Sequence, residues 1–340
     1  MRGVRVVVIG AGVSGLTAAS ELISRGASVE IWAKERHPNT TSDVAAAFWH
    51  PFLVEDTPRV ERWAAVAYRR FSDFAERHPE SGVRMVSVRE FFSDEAAAPP
   101  WLERIEGHRV LTSAELPSDR AAGRTFIAPV IETPIYLPWL ERRLERAGCI
   151  FRRKHLTKID DAFDSATHVV NATGMGAATL ANDDSVRPMR GQVVRVHAPS
   201  PRLRPHVILD SGDPLGPIYI VPRSDDVVIG ASAAPSAETG VRPDETASLL
   251  RRARELSPAL ASAPVSGVSV GLRPWRPTIR LEHEERPRGS LFHCYGHGGA
   301  GVTLSWGCAR ALVDLIESVT ALTGPGSGAS SAREALPSLG

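Results

Sequence analysis

Cysteine is scarce in this chain, where Cys149, Cys294 and Cys308 are the three present. No pair has CxxC spacing, which argues against a disulfide framework or a zinc site and leaves three buried thiols as the expectation. Lysine is nearly as rare, since Lys34, Lys154 and Lys158 are the only lysines among 40 basic residues. Against 39 acidic residues the net charge is +1, so no surplus of charge exists to hold a polyanion and a nucleic-acid partner is not expected. The arginine bias, beside abundant alanine, reads as a compositional habit rather than a phosphate-binding design. No apolar run approaches the roughly 20 residues that span a bilayer. Met1-Arg2 leading into Val4–Ile9 has some likeness to a signal peptide, but the run ends at Gly10 and no small-residue cleavage site follows. It reads better as a first strand, and a cytoplasmic location is expected. No internal repeat is evident, which removes solenoids and propellers.

What is present is the composition of an ordinary globular protein: 340 residues, 43% hydrophobic and 23% charged, with 28 Gly and 26 Pro. That suits one large α/β domain or two domains with a long shared boundary. Residues 4–9, β-branched apart from Arg5, form a run of the kind buried on both faces of a parallel sheet. Residues 13–25 carry Val13, Leu16, Leu22 and Ile23 near helical spacing, with Gly26 placed for a C-cap. Residues 28–33 predict a second strand, completing a βαβ opening. A helix is predicted over 57–78, followed by short irregular pieces to about 130, and another over 134–147. A strand over 165–171 runs into the turn Asn171-Ala172-Thr173-Gly174. Residues 192–231 read as antiparallel β with a hairpin of IYIV (218–221) and VVIGA (227–231) around Ser224-Asp225-Asp226. Helices follow near 244–256 and over 302–319, and a Gly/Ser/Pro-rich tail, 321–340, reads as flexible. The alternation predicts one doubly wound domain assembled from separated segments, with a second domain inserted and a cleft at the junction.

Gly10-Ala11-Gly12-Val13-Ser14-Gly15 is a G-x-G-x-x-G directly after a strand and opening a helix. The first glycine permits the tight turn, the second lets backbone approach a pyrophosphate, and the third allows close helix–strand packing, with the helix N-terminus facing the anion. An acidic residue about 20 positions on is expected at the ribose; Lys34 holds the strand end and Glu35 follows, and either could make that contact. Beyond them, Thr40, Thr41 and Ser42 offer hydroxyls, and Ala45, Ala46 and Ala47 would let a flat ring lie close to the backbone.

In several blocks along nearly the whole chain the sequence resembles the D-amino-acid oxidase family of FAD enzymes. These are VVVIGAGVSGLTAA (6–19), TTSDVAAAFWHP (40–51), VVNATG (169–174), RGQ (190–192), YIVP (219–222), GLRPWRPTIRLE (271–282) and YGHGGAGVTLSWGCA (295–309). The last two, in that order near the C-terminus, are far more specific than the dinucleotide fingerprint. The resemblance implies an α/β fold: a Rossmann-like doubly wound FAD-binding domain (1–50, 134–195 and 270–320) and an α+β substrate domain with a mixed or antiparallel sheet (51–133 and 196–269).

Carried over residue by residue, the resemblance implies that Arg273 clamps the α-carboxylate of a D-amino acid. A planar guanidinium suits that task because it makes two parallel charge-assisted bonds that Lys cannot. Tyr219 would reach the same carboxylate, and Gly299, with Gly298, would lie against flavin and substrate. FAD would be held by Gly10, Gly12, Val13, Ser14 and Gly15, by Lys34 or Glu35, by Thr40, Thr41, Ser42, Ala46, Ala47 and Phe48, and by Leu156, Thr173 and Gly174. Arg273, Gly298, Gly299, Gly301, Val302 and Thr303 would complete its site. His297 is not assigned as a base, because hydride transfer from a neutral amine requires none. The expected reaction is oxidative deamination of neutral D-amino acids by O2, yielding 2-oxo acids, ammonia and hydrogen peroxide, in a homodimer with no membrane or nucleic-acid partner. Residues 210–218 (DSGDPLGPI) make a shorter lid than animal relatives carry and hold no tyrosine, so gating there is in doubt. Alternatives are a D-aspartate oxidase, with Arg223 or His50 as the second cation, a glycine or sarcosine oxidase, or a non-catalytic dinucleotide-binding module.

Overall fold

The structure, a computed structural model, describes residues 1–94, 99–197, 206–230 and 233–323. Most of the tail expected to be flexible, 324–340, lies outside the described residues, as does Ala231 at the end of the expected hairpin. The chain runs β1 (Arg5–Ile9), α1 (Val13–Ser24), β2 (Ser28–Ala33), α2 (Thr41–Val44), α3 (Pro58–Arg77), β3 (Val83–Phe92), β4 (Arg109–Val110) and β5 (Ala122–Ile131). It continues through α4 (Thr133–Arg146), β6 (Ile150–Arg153), β7 (His168–Asn171), α5 (Ala177–Leu180), β8 (Arg187–His197), β9 (His206–Asp210), β10 (Ile218–Pro222) and β11 (Asp226–Gly230). The last elements are β12 (Ala234–Pro235), α6 (Pro243–Leu256), β13 (Val265–Arg286), β14 (Gly289–His297) and α7 (Gly301–Thr323).

All these strands join one sheet, in the order β4-β5-β3-β9-β10-β11-β8-β13-β14-β7-β1-β2-β6, with β12 on β8. One end is parallel throughout: β14, β7, β1, β2 and β6. The other is antiparallel except where β9 runs parallel to β3. In the parallel end the chain leaves β1 for β2 on one side and later returns to β7 on the other. The crevice at the C-terminal ends of β1 and β7 is therefore the switch point where doubly wound sheets bind ligands.

The expected βαβ opening, the helices and the hairpin are all present, and the fold is α/β with a large mixed sheet. One expectation fails. The stretch after α3 is not a set of irregular pieces, because β3 and β5 pair antiparallel along ten residues. Charged residues inside β3 hide the strand pattern, and one of them, Glu90, is buried and ion-paired with Arg124 at 2.7 Å. The sequence also left 265–286 unassigned, where β13 runs as one strand of 22 residues despite Pro274 and Pro277. Its partner changes from β8 to β14 near Trp275, with an irregularity between Trp275 and Arg280, so both prolines sit at or beside the place where ladder bonds lapse. β13 is the seam between the two ends of the sheet, and Arg273 lies on it just before the change of partner.

The core lies between the sheet and a layer of α1, α3 and α7. Along α3 the apolar face Val60, Ala64, Ala67, Phe71 and Phe74 is buried, as its spacing requires. Where α3 crosses α7, a Cβ on Gly307 would reach 2.5 Å from the Trp63 carbonyl carbon, so glycine sets how closely the helices approach. Burial pushes the Cys149 and Cys294 thiols up to about 12, and all three cysteines are buried and free, as expected.

Candidate active site

A cavity of about 660 Å³ follows the sheet from one end to the other. In sheet order its lining passes from Lys154 after β6, through Ala33–Glu35 after β2 and Ile9–Ser14 after β1, to Ala172–Gly174 after β7. It then continues past His297–Gly299 to Gly271 and Arg273 on β13, Gly191 and Val193 on β8, Tyr219 on β10 and Leu209 on β9.

At the parallel end the backbone builds the walls. Gly10 has φ +114°, a conformation L side chains rarely adopt, and a Cβ there would come 2.9 Å from the Ala172 carbonyl carbon. Gly12 opens α1, and the Val13 amide donates to the Ser42 hydroxyl at 3.0 Å, which folds the Thr40–Val44 turn over the glycine-rich loop. By helix geometry the amides of Ser14 and Gly15 have no carbonyl one turn back within α1. A 12-residue helix therefore presents its positive end to the cavity. Gly15 itself does not line the cavity. A Cβ there would come 2.9 Å from the Gly10 carbonyl carbon, so this glycine serves helix–strand packing.

The other residues expected at the cofactor do line the cavity, among them Lys34, Glu35, Thr41, Ala46, Ala47, Phe48, Leu156, Gly174, Gly301 and Val302. Three threonine hydroxyls are already engaged within the protein. Thr40 donates to Asp43 at 2.7 Å, Thr173 to Asn171 at 2.7 Å, and Thr303 to the His50 carbonyl at 3.0 Å. Lys34 is exposed, whereas Glu35 is half-buried and 3.8 Å from Arg153. Lys154, absent from the sequence-based set, holds its ammonium 3.2 Å from the ring centroid of buried Trp32. Gly298 and Gly299 line the cavity, and neighbours within the protein crowd them as well. A Cβ on Gly298 would strike the Leu53 carbonyl and one on Gly299 would come 2.6 Å from Phe52 Cδ1, so these glycines admit the Phe52–Leu53 backbone.

At the antiparallel end side chains take over. Leu209, Tyr219, Gly230 and Val193 stand opposite one another across β9, β10, β11 and β8, which puts them on one face. Gly191 is two residues from Val193 and pairs with Gly271, itself two residues from Arg273, so the same face carries the guanidinium. Arg273 donates a hydrogen bond to the Tyr219 hydroxyl. Burial pushes that hydroxyl above its ordinary value, with Arg273 opposing. Phe48 meets Tyr219 edge-on at 6.0 Å, and Arg273 lies 5.8 Å from the Phe52 ring centroid. With Leu209 and Pro217 these rings give the end of the cavity an apolar wall.

The two residues considered as a second cation are placed differently. Arg223 holds Asp226 through bonds of 2.7 and 2.8 Å, donates to the Ala46 carbonyl, and is not part of the lining. His50 does line the cavity, but burial lowers its pKa and favours the neutral ring. His297 is likewise buried, pushed down to about 4, with Nε2 3.9 Å from the Cys294 sulfur. Behind the His297 turn, Asp183 accepts from Tyr295 at 2.8 Å and pairs with Arg276 at 2.9 Å. Burial works against that carboxylate, yet hydrogen bonds from Ser185 and Tyr295 hold it down to about 2.

The residues present fit a flavin dinucleotide: a glycine turn that excludes any Cβ, a free helix N-terminus, and a channel long enough to continue to a cationic clamp. Comparisons with known proteins agree. Residues 5–315 match the family model described as DAO, FAD dependent oxidoreductase. A curated D-amino-acid oxidase of Rubrobacter xylanophilus is 42% identical over 93% of this chain and 97% of its own. Another, of Streptomyces coelicolor, is 36% identical over 91% and 96%. Among solved structures, a glycine oxidase of Bacillus cereus superposes with a TM-score of 0.77 at 23% identity, covering 93% of this chain and 95% of that one.

Proposed function

The chain belongs to the DAO family of FAD-dependent oxidoreductases, and from that premise we infer that it is an FAD-dependent D-amino-acid oxidase. When bound, the flavin takes the hydride from the substrate Cα and passes the electrons to O2. The products are hydrogen peroxide and an imino acid, which water converts to a 2-oxo acid and ammonia. The observation that carries this reading is the meeting of Arg273 and Tyr219 at the far end of a cavity that begins at the Gly10 turn.

Arg273 receives the α-carboxylate with two of its N–H groups, and the Tyr219 hydroxyl completes the grip. With the carboxylate fixed to the sheet face, the Cα–H of a D-isomer is the substituent that points to the ring. The L-isomer held by the same clamp presents its side chain there. Positioning of this kind is worth many orders of magnitude in effective concentration. His50 and His297 are both made weaker bases than an ordinary imidazole by burial, so neither is assigned the proton of the substrate amine. The first-turn amides of α7 at Val302 and Thr303 face the cavity and would hold negative charge that builds on the ring.

Phe48, Phe52, Leu209 and Pro217 favour neutral, apolar side chains, and the engagement of Arg223 by Asp226 speaks against D-aspartate. We further assign 1–50, 134–195 and 270–320 to cofactor binding and 51–133 with 196–269 to substrate binding, in a cytoplasmic homodimer. Among the described residues no helix is long and apolar enough to cross a membrane. Oxygen consumption with D-alanine, D-valine, D-aspartate and glycine tests the reading. Turnover highest with the neutral D-amino acids is expected; turnover confined to glycine would overturn it.

A further inference from the structure

Two glycines of the antiparallel end have ordinary backbone angles, so no turn or left-handed conformation requires them. Their surroundings do. A Cβ on Gly191 would lie 2.5 Å from both Cζ and Nη2 of Arg273 and closer still to Nη1. Nη1 and Nη2 at the tip of the guanidinium thus lie over the Gly191 α-carbon, where a side chain would collide with them. A Cβ on Gly230 would lie 2.6 Å from Cε2 of Tyr219 and closer still to Cζ and the hydroxyl. Gly230 is the direct cross-strand partner of Tyr219, and Gly191 is the diagonal neighbour of Arg273 through Gly271. Both groups that grip the carboxylate thus rest on bare backbone.

We propose that Gly191 and Gly230 are positioning residues of the carboxylate clamp. They form a side-chain-free floor that sets the height of the Arg273 guanidinium and the Tyr219 hydroxyl above the sheet. This rests on the D-amino-acid oxidase reading. A methyl group at either position meets the far end of a flexible side chain rather than rigid backbone, so the protein accommodates it by lifting the clamp. An ordinary contact requires a displacement of about 1 Å, and misplacement of that size costs roughly 10²-fold in rate. Alanine is also the better strand residue, so stability should not fall.

The test uses the FAD-loaded Gly191→Ala and Gly230→Ala enzymes. Each should lose roughly 10²-fold in kcat/KM for D-alanine. Each should also bind 3-methylbutanoate, a carboxylate with no amine to oxidise, at least about tenfold more weakly, read from its perturbation of the flavin absorption. FAD affinity and Tm should stay at wild-type values. The collision is with guanidinium atoms that Lys lacks, so in an Arg273→Lys background Gly191→Ala should cost less than about threefold further. If the alanine variants keep wild-type carboxylate affinity, the floor is not needed and the proposal is overturned. It is equally overturned if they lose FAD and substrate binding in parallel, or if the Gly191 effect adds in full to Arg273→Lys. A variant that does not fold refutes the accommodation argued above. A wild-type enzyme inert toward D-alanine would instead sink the reaction assigned, while the 3-methylbutanoate affinities would still decide the role of the glycines.

Discussion

The two ends of the cavity are built from different materials. At the parallel end the walls are main chain: the positive-φ turn at Gly10, the first amides of α1, and the Thr40–Val44 segment tied down by the Val13–Ser42 bond. At the antiparallel end a guanidinium and a phenol stand on one sheet face above glycine α-carbons, ringed by Phe48 and Phe52. A site made of backbone holds a ligand by shape and by distributed partial charge, so the loss of any one side chain is blunted. A site made of side chains concentrates its chemistry in two residues, so each is expected to be costly to lose.

The largest break of this comparison is Arg273→Ala. Removing the sole guanidinium of the clamp should lower kcat/KM for D-alanine by about 10³-fold, since truncating one side of a buried charge pair costs roughly 2–5 kcal/mol. FAD affinity, read by fluorescence of the released cofactor, should move far less. Acidification should act where the two ends meet, at the end of β14. His297 is held near 4 by burial, so the unfolded chain binds a proton that the folded chain refuses between about pH 6.5 and pH 4. Its contribution is full above that window and lost as pH falls through it, on the order of 3 kcal/mol. The Tm measured against pH should fall across this interval, and less steeply in His297→Gln.

At the parallel end, Gly10→Ala forces a side chain into a positive-φ position against the Ala172 carbonyl. A strain of about 1–3 kcal/mol should appear mainly as roughly ten- to hundredfold weaker FAD binding, with KM for substrate little changed once the enzyme is saturated with cofactor. Tyr219→Phe removes one hydrogen bond to a charged group, and kcat/KM should drop about tenfold at unchanged FAD affinity. The smallest effect belongs to Lys34→Ala. Its side chain is exposed at the cavity rim, and FAD affinity should change by less than about threefold and only at low salt.

This contrast also explains what could be read before any coordinates. The parallel end was legible because backbone function leaves a spacing: an apolar run, three glycines at fixed offsets and a helix start, with Gly26 at positive φ just past the last turn of α1. Arg273 and Tyr219 had no such pattern of their own, and only the surrounding blocks singled them out. Their floor was hidden more deeply, since Gly191 and Gly230 are meaningful only through register across β8, β11 and β13, which composition and periodicity do not encode. Strands β3 and β5 escaped notice because a buried ion pair, Glu90 with Arg124, interrupts the alternation that marks a strand. The crowding of Gly298 and Gly299 by Phe52–Leu53 was hidden for the same reason, since that loop is remote in sequence.

The most direct test of the account is anaerobic mixing of the FAD-loaded protein with D-valine and, separately, L-valine, followed through the flavin's visible absorption band. The clamp and the single ring-facing position it leaves require that the D-isomer bleach the band, that the L-isomer leave it intact, and that air restore the colour. Equal bleaching by both isomers, or by neither, would contradict the orientation that Arg273 and Tyr219 are said to impose.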